Sequence, residues 1–369
     1  MDKSVFSQLL YETHFNSTAT VDDAIQHLSP LRNWLKDNVP KKLFRYRRNT
    51  DYNVNSIYND EIWGSTILEC NDPYECTPCY DVEKFKMLLR QMFSSETLHT
   101  ALALLKETNT QPALKKFFHP DVFATLTQAL ETHSEETVIS ELMSSCLSTL
   151  DRIEADWQTI IDHFFAGIRL AESKTHIACF SECCDSSLMW GHYADSHRGF
   201  CLEYDFRAVL QDCPMSCADP SLCNSFMLNF PVAPVTYSDH RFDATSYLPS
   251  VIQAHLQGLS NEPVEIVLWD VLLLLKCQLQ KSSDWAYEQE WRLTRRSHTD
   301  TYVPHKCIAK LKPTGVYLGA LMPISEKTKI YQICQQRDIS CYIMLQNYAG
   351  QDYSLQAYPY EEFLKVCDS

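Results

Sequence analysis

Along residues 176 to 205, HIACFSECCDSSLMWGHYADSHRGFCLEYD, the spacing of apolar and polar positions changes twice. HIACFS is an apolar run bounded by polar residues and reads as a strand. SSLMWGHYAD reads as one or two helical turns with a serine at the N-cap, and GFCLEYDF alternates around Glu203 and Asp205 as a second strand. This order brings Ser181, Trp190, His192, Tyr193 and His197 close to one sheet edge, the densest group of ligand-capable side chains in the chain.

Upstream, VFSQLLYETHF and VDDAIQHLSPLRNWLKD have helical period, the second interrupted by Pro30, and form an N-terminal helical arm over residues 1–40. KKLFRYRR then reads as a strand with Leu43 and Arg45 pointing one way and Phe44 and Tyr46 the other. Asp51 to Asn59 suits a short helix. EIWGSTILE is a second strand, closed by the turn NDPYE, where Pro73 stops regular pairing. From 82 to 172 the apolar stripes in FKMLLRQMF, LHTALALLKE, FATLTQALETH, VISELMSSCLSTL and WQTIIDHFFAGIRL predict an inserted helical subdomain.

Beyond the central stretch, residues 207 to 245 are loop-like around a short strand PVTYSD. PVEIVLWDVLLLLKCQLQKS predicts a long buried helix, DWAYEQEWRLTRR a strand, and CIAKLKPTGVYLGALM another. EKTKIYQICQQRD is a helix, and SCYIMLQNY with SLQAYPY a terminal hairpin. Strands in 41–81 and 173–369, with helices between them, make the fold class α+β. Its core is one of central mixed or antiparallel β-sheets, and the helical bundle is an insertion into it.

Composition narrows the chemistry. With 369 residues, 45% apolar and 12% aromatic, the chain can bury a sizeable core. Only 8 glycines occur, and there is no GxGxxG, GxxxxGK[ST] or GxSxG, so glycine-loop nucleotide sites and the nucleophile elbow are set aside. A formal charge of −15 repels nucleic acid at long range, leaving one modest basic patch at Lys41, Lys42, Arg45, Arg47 and Arg48. No run of about 18 apolar residues appears, and the start MDKSVFSQLLYETHF is too polar for a signal peptide. A soluble cytoplasmic protein with no membrane contact is expected. Its 16 cysteines are then reduced. In the clusters Cys70/Cys76/Cys79 and Cys213/Cys217/Cys223, only Cys76 to Cys79 has a zinc-like spacing, so no metal site is expected.

The chemistry-bearing residues outside the central stretch lie in WAYEQEWR. As a strand, it places Glu288, Glu290 and Arg292 on one face. Adjacent carboxylates must be solvated, paired or used, so the group reads either as a salt-bridged sheet face or as a polarising acid pair. Arg45 and Arg47 offer guanidinium forks suited to a pyrophosphate, or are ordinary basic residues of a surface strand. The turn Asn71 to Glu75 reads as a structural cap. Glu288, Glu290, Asp205 and Asp72 would hold a divalent ion for a hydrolase or nuclease if they converged.

The ordered motifs LFRYR, NDPYE, FS, MWGHYADSHRGFCLEYD and W-x-YEQEWR, from about Lys41 to Gly319, resemble a widespread, largely uncharacterised bacterial family known only as a domain of unknown function. Cys70 departs from the aromatic residue usual before NDP, and the insertion after Tyr80 is long. More loosely, an early strand with Arg, a middle strand ending in Ser and a late Glu-x-Glu resemble ADP-ribosyltransferases, which bind NAD in a split β-sandwich without a glycine-rich loop. That resemblance implies an NAD-consuming transferase or glycohydrolase, acting as a toxin or phage-defence effector on a small-molecule nucleotide substrate. Arg45 would hold the phosphates and Ser181 (or Ser65 and Thr66) the nicotinamide ribose. Tyr193 would stack on nicotinamide with Trp190 as an aromatic wall and His192 beside its amide; Glu290 would be the catalytic carboxylate that polarises the ribose hydroxyl and stabilises the oxocarbenium, with Glu288 orienting the acceptor. The alternative is a non-catalytic sensor that binds a protein partner through the helical insertion.

Overall fold

A computed structural model of the chain describes residues 2–14, 20–92, 154–207, 232–251, 272–297, 302–348 and 353–367, with a few isolated positions between them. The fold is α+β, built on a large mixed sheet of ten strands that does not close into a barrel. Its strands are β1 (Leu43–Arg47), β2 (Glu61–Thr66), β3 (Thr175–Ser181), β4 (Phe200–Tyr204), β5 (Ala233–Pro234), β8 (Glu290–Arg296), β9 (His305–Lys310), β10 (Gly315–Leu318), β11 (Ser340–Gln346) and β12 (Leu355–Pro359). Two short strands, β6 (Thr236–Ser238) and β7 (Gln280–Ser282), pair in parallel as a separate ribbon.

Strand neighbours run β12-β11-β10-β4-β1-β3-β2-β9, with β8 on the other edge of β3 and β5 on β8. All ladders in the large sheet are antiparallel except β10 with β11, whose crossover is the helix Ile324–Arg337. β3 is the point where the sheet forks. One edge pairs with β8 along its whole length, from Thr175 opposite Arg296 to Ser181 opposite Glu290. The other edge is shared: β2 takes His176 and Ile177, and β1 takes Ser181 alone. Between them, at Ala178 to Phe180, β1 and β2 diverge.

Both faces of the sheet are covered, so several strands are buried on consecutive residues. Leu43, Phe200, Leu202, Tyr204, Val316, Leu318 and Ile343 face one core, together with Phe6, Leu10, Leu28, Leu31, Leu35 and Trp291. Their neighbours Phe44, Cys201, Tyr317 and Met344 face a second core with Tyr46 and Trp190. The expected alternation in LFRYR therefore separates two apolar environments, not core from water.

The N-terminal helices Lys3–Glu12 and Val21–Asn38 thus supply part of the main core. The second helix passes straight through Pro30, contrary to the expected interruption. A capping box between Thr20 and Asp23 starts it, and Ala24, Leu28, Leu31 and Leu35 form one buried stripe. That packing outweighs the ~3 kcal/mol that an interior proline costs a helix.

Three further expectations are corrected. Of the long helix expected over 263–282, residues 263–269 and 271 lie outside the described residues; in the rest the helix is Leu273–Gln278, and the polar QKS is drawn into β7 by pairing with β6. CIAKLKPTGVYLGALM is two strands, β9 and β10, broken before Gly315 where Pro313 has no N–H to offer a ladder. DWAYEQEWR is not one strand. Ser282 caps a 3-10 helix over Ser283–Glu288, Gln289 turns into the left-handed region at φ 46°, and β8 starts only at Glu290.

Of the helical insertion, Val82–Met92 and Glu154–Glu172 are helices, and most of 93–153 lies outside the described residues, as do Cys213, Cys217 and Cys223. The described cysteines are free thiols. Among the described residues, no helix is long and apolar enough to cross a membrane.

Candidate functional site

The fork in the sheet opens a cavity of about 410 Å³. β1 lines it with Phe44 to Arg47, β2 with Ser65, and β3 with Ile177, Cys179, Phe180 and Ser181. The helix Ser187–Tyr193, capped as expected by the Ser186 hydroxyl, adds Met189, His192 and Tyr193. The loop after β2 adds Asn71 and Glu75, and Lys281, Glu288 and Glu290 close the far side. Arg45, Ser181, His192, Tyr193, Glu288 and Glu290, singled out from the sequence, thus line one cavity.

One wall is basic. The Arg45 guanidinium is buried, reaches across the fork to donate to the Trp63 carbonyl of β2, and lies 5.7 Å from the Phe180 ring. Among the described residues it has no carboxylate partner, and burial works against its charge. Arg47 is held by the Asn53 side chain, likewise without a carboxylate. A buried, unneutralised guanidinium beside a second one favours an anion.

The cavity is also lined from a buried network of three carboxylates and two cations. Arg292 Nε donates to Glu290 Oε1 at 2.7 Å and Nη2 to Oε2 at 3.0 Å, while Nη1 donates to Glu75 Oε1 at 2.7 Å. Lys281 Nζ donates to Glu288 Oε2 at 2.7 Å and to Glu290 Oε2 at 3.4 Å. Burial raises the Glu290 carboxyl, but Arg292 and Lys281 outweigh it and hold it at about 2. Burial and the Glu290 charge push Glu288 the other way, up from the usual carboxylate range, with Lys281 only partly compensating. Two carboxylates two residues apart are therefore driven to opposite protonation behaviour.

Tyr193 completes this network. Its hydroxyl donates to Glu288 Oε1 at 2.5 Å and accepts from Asn71 Nδ2 at 3.1 Å. His192 stands at the exposed mouth, its Nδ1 3.1 Å from the Tyr287 hydroxyl. Ser181 is buried where β1, β3 and β8 meet, its hydroxyl 3.5 Å from the Cys183 sulfur.

Trp190 is not a pocket wall. Fully buried, it donates to the Cys184 carbonyl at 2.7 Å, meets Tyr46 edge-on at 5.3 Å and stacks on His197, so it supports the pocket from the second core. His197 sits in a left-handed turn with Asp195 and Ser196, away from the cavity lining. The four acids considered for a divalent ion do not converge. Asp205 pairs with Arg207 at 2.5 Å, Asp72 accepts from the Tyr74 backbone, and the oxygens of Glu288 and Glu290 are engaged by Lys281, Tyr193 and Arg292. Among the described residues, no group of three or more His, Cys, Asp or Glu is arranged to hold a metal.

Lys281, Glu75 and Cys179 were missed as site residues. Lys281 lay in a segment read as the end of an apolar helix, and Glu75 in a turn read as structural. Cys179 lay in an apolar strand, yet it lines the cavity, opposite Arg292 in the ladder with β8. The charge asymmetry of WAYEQEWR was a usable signal for Lys281: two acids and one arginine leave room for a second buried cation.

Neither a curated protein nor a solved structure matches the chain. Residues 189–293, which hold Tyr193, Lys281, Glu288, Glu290 and Arg292, match the model of a family described as a protein of unknown function, DUF2971, consistent with an uncharacterised domain family.

Proposed function

We propose that this pocket binds NAD and breaks its nicotinamide–ribose bond, passing the ADP-ribosyl group to an acceptor or to water, and that the chain acts in the cytoplasm as a toxin or antiviral-defence effector. One observation carries the reading: Arg45, a buried guanidinium without a carboxylate partner among the described residues, lines the same cavity as Glu290, a carboxylate held ionised by Arg292 and Lys281. An anion site and a fixed negative charge lining one cavity match a substrate that carries a diphosphate and develops a ribosyl cation.

In this reading Arg45 and Arg47 hold the diphosphate, Ser181 the nicotinamide ribose, and Tyr193 packs on the nicotinamide with His192 at its amide. The C–N bond breaks with its electron pair leaving on nicotinamide, which departs neutral. Glu290 stabilises the oxocarbenium left behind. The acceptor hydroxyl or water forms the new C–O bond and gives its proton to Glu288. The forked sheet supports the likeness to the split sandwich of ADP-ribosyltransferases, and the scarcity of glycine fits a site without a phosphate loop.

The test is nicotinamide release from NAD by the purified chain. Glu290→Gln is expected to lower kcat about a hundredfold or more, the scale of removing one preorganised charge-stabilising group. No nicotinamide release by the parent chain, across acceptors and in water, sinks the reading.

A further inference from the structure

We infer that Lys281 is a positioning residue of this pocket: its buried ammonium holds Glu288 and Glu290 as a pair and decides which of them takes the acceptor's proton. The reaction named here rests on the NAD reading above; the arrangement of charges does not.

Lys281 is carried by β7, whose parallel pairing with β6 sets Tyr237 opposite it. The Tyr237 hydroxyl in turn accepts from the Glu290 backbone N–H at 2.8 Å, so the small ribbon fixes both the lysine and the start of β8. The ammonium lies 2.7 Å from Glu288, 3.4 Å from Glu290 and 3.8 Å from Glu75, with the Trp285 ring at 4.6 Å. Among the described residues, Arg292, Tyr193, Tyr237, Tyr287, Cys70 and Cys179 are further titratable or charged neighbours of this network.

The geometry is unequal. Glu290 is bound by both cations, Arg292 in two bonds and Lys281 in a third. Among the described residues, Glu288 has only Lys281, which it shares, and the Tyr193 hydroxyl. Three carboxylates against two cations leave one negative charge in excess, and the least compensated carboxylate is where a proton goes. Lys281 therefore keeps Glu288 ionised enough to accept a proton while leaving Glu290 permanently charged. Arg292 already directs four of its five N–H donors to Glu290, Glu75 and the Gln278 carbonyl, and none of its bonds reaches Glu288 among the described residues.

The experiment compares the full chain with Lys281→Met and Lys281→Arg, following the carboxyl carbon of Glu288 by 13C NMR against pH, assigned with Glu288→Gln, beside the pH profile of nicotinamide release. Loss of the cation disfavours the carboxylate, so in Lys281→Met the Glu288 midpoint and the acidic limb of kcat/KM are expected to move up by about one pH unit or more, roughly 1.4 kcal/mol per unit. Lys281→Arg is expected to bring both back towards the parent. Where Lys281→Met does not fold, Lys281→Met/Glu75→Gln removes one charge of each sign and is expected to show the same upward shift. A Glu288 midpoint unmoved in the folded variant overturns the inference. A parent chain that releases no nicotinamide removes the NAD reading, and the carboxyl titration still decides the role of Lys281.

Discussion

Arg292 grips Glu290 by two bonds at 2.7 and 3.0 Å, the two side chains leaving the same face of β8 two residues apart. The third arm of the guanidinium reaches Glu75, 217 positions earlier in the chain. One fully buried arginine thus ties the turn after β2 to the strand that carries the pocket's acid. Arg292→Met leaves Glu290 and Glu75 without their main partner in a dry environment, and a destabilisation of ~3–5 kcal/mol is expected by urea unfolding at neutral pH. Arg292→Lys keeps the charge but cannot fork, and an intermediate loss is expected. A loss below ~1 kcal/mol in Arg292→Met, the range of exposed pairs, refutes this account of the network.

Arg45 presents the opposite case, a buried cation whose protein partners are a carbonyl and an aromatic ring. Calorimetric titration with ADP-ribose is expected to show affinity at least tenfold lower in Arg45→Ala, since a hydrogen bond to a charged group contributes ~1.5–3 kcal/mol. Arg207→Ala, which breaks only the partly exposed pair with Asp205, serves as the control and is expected to bind as the parent does. Equal affinity in the Arg45 variant excludes that guanidinium as the anion site.

The local signals in the sequence were sound where one residue type decides the backbone, and incomplete where distant segments meet. The Ser186 cap, β3, the short aromatic helix and β4 follow from periodicity and capping alone. The pairing of Glu290 with Arg292 follows from the period of a strand. Glu288 sits near them for another reason, since a 3-10 helix and a left-handed Gln289 return it to the same wall. Trp190 reads from the sequence as half core and half stacking surface, but it faces the second core alone; His192, two positions on, points elsewhere, while Tyr193, three positions on, packs partly against that same core and still reaches the cavity. Glu75 carried no local signal, and for Lys281 the excess of acids in WAYEQEWR pointed to a second cation without saying which residue supplies it, because the three carboxylates meet only in the fold.

Two glycines near the site separate packing from propensity. A methyl group added at Gly199 would lie 2.1 Å from the Arg47 carbonyl and 2.9 Å from that of Ala194, both backbone atoms. Gly199→Ala must push β4 and the left-handed turn before it away from β1, and a loss of ~2–3 kcal/mol is expected, the upper range for overpacking. Gly191 lies inside the helix Ser187–Tyr193 with open space where the methyl would go. Gly191→Ala is expected to gain ~0.5–1 kcal/mol from reduced unfolded-state freedom. Thermal midpoints moving in the same direction for both variants contradict this distinction.

Glu172 ends the helix Glu154–Glu172 fully buried, accepting one bond from Gln278 Nε2 at 2.7 Å while its Oε1 has no partner among the described residues. Burial raises its carboxyl from 4.5 to about 8, against the smaller opposing effect of the Gln278 bond. The folded chain therefore holds this proton more tightly than the unfolded one. The stabilisation is complete below about pH 4.5, the ordinary carboxylate value, and is lost as pH rises towards about 8, at ~1.4 kcal/mol per unit. Glu172→Gln keeps an acceptor for Gln278 and removes the titration. Its stability relative to the parent, from urea midpoints at a series of pH values, is expected to improve by a few kcal/mol between about pH 5 and pH 8 and to level off above. The same change in network charge bears on the pocket, because the Gln278 carbonyl also accepts from Arg292. A relative stability that stays flat across this window shows that the carboxylate is solvated in the folded chain.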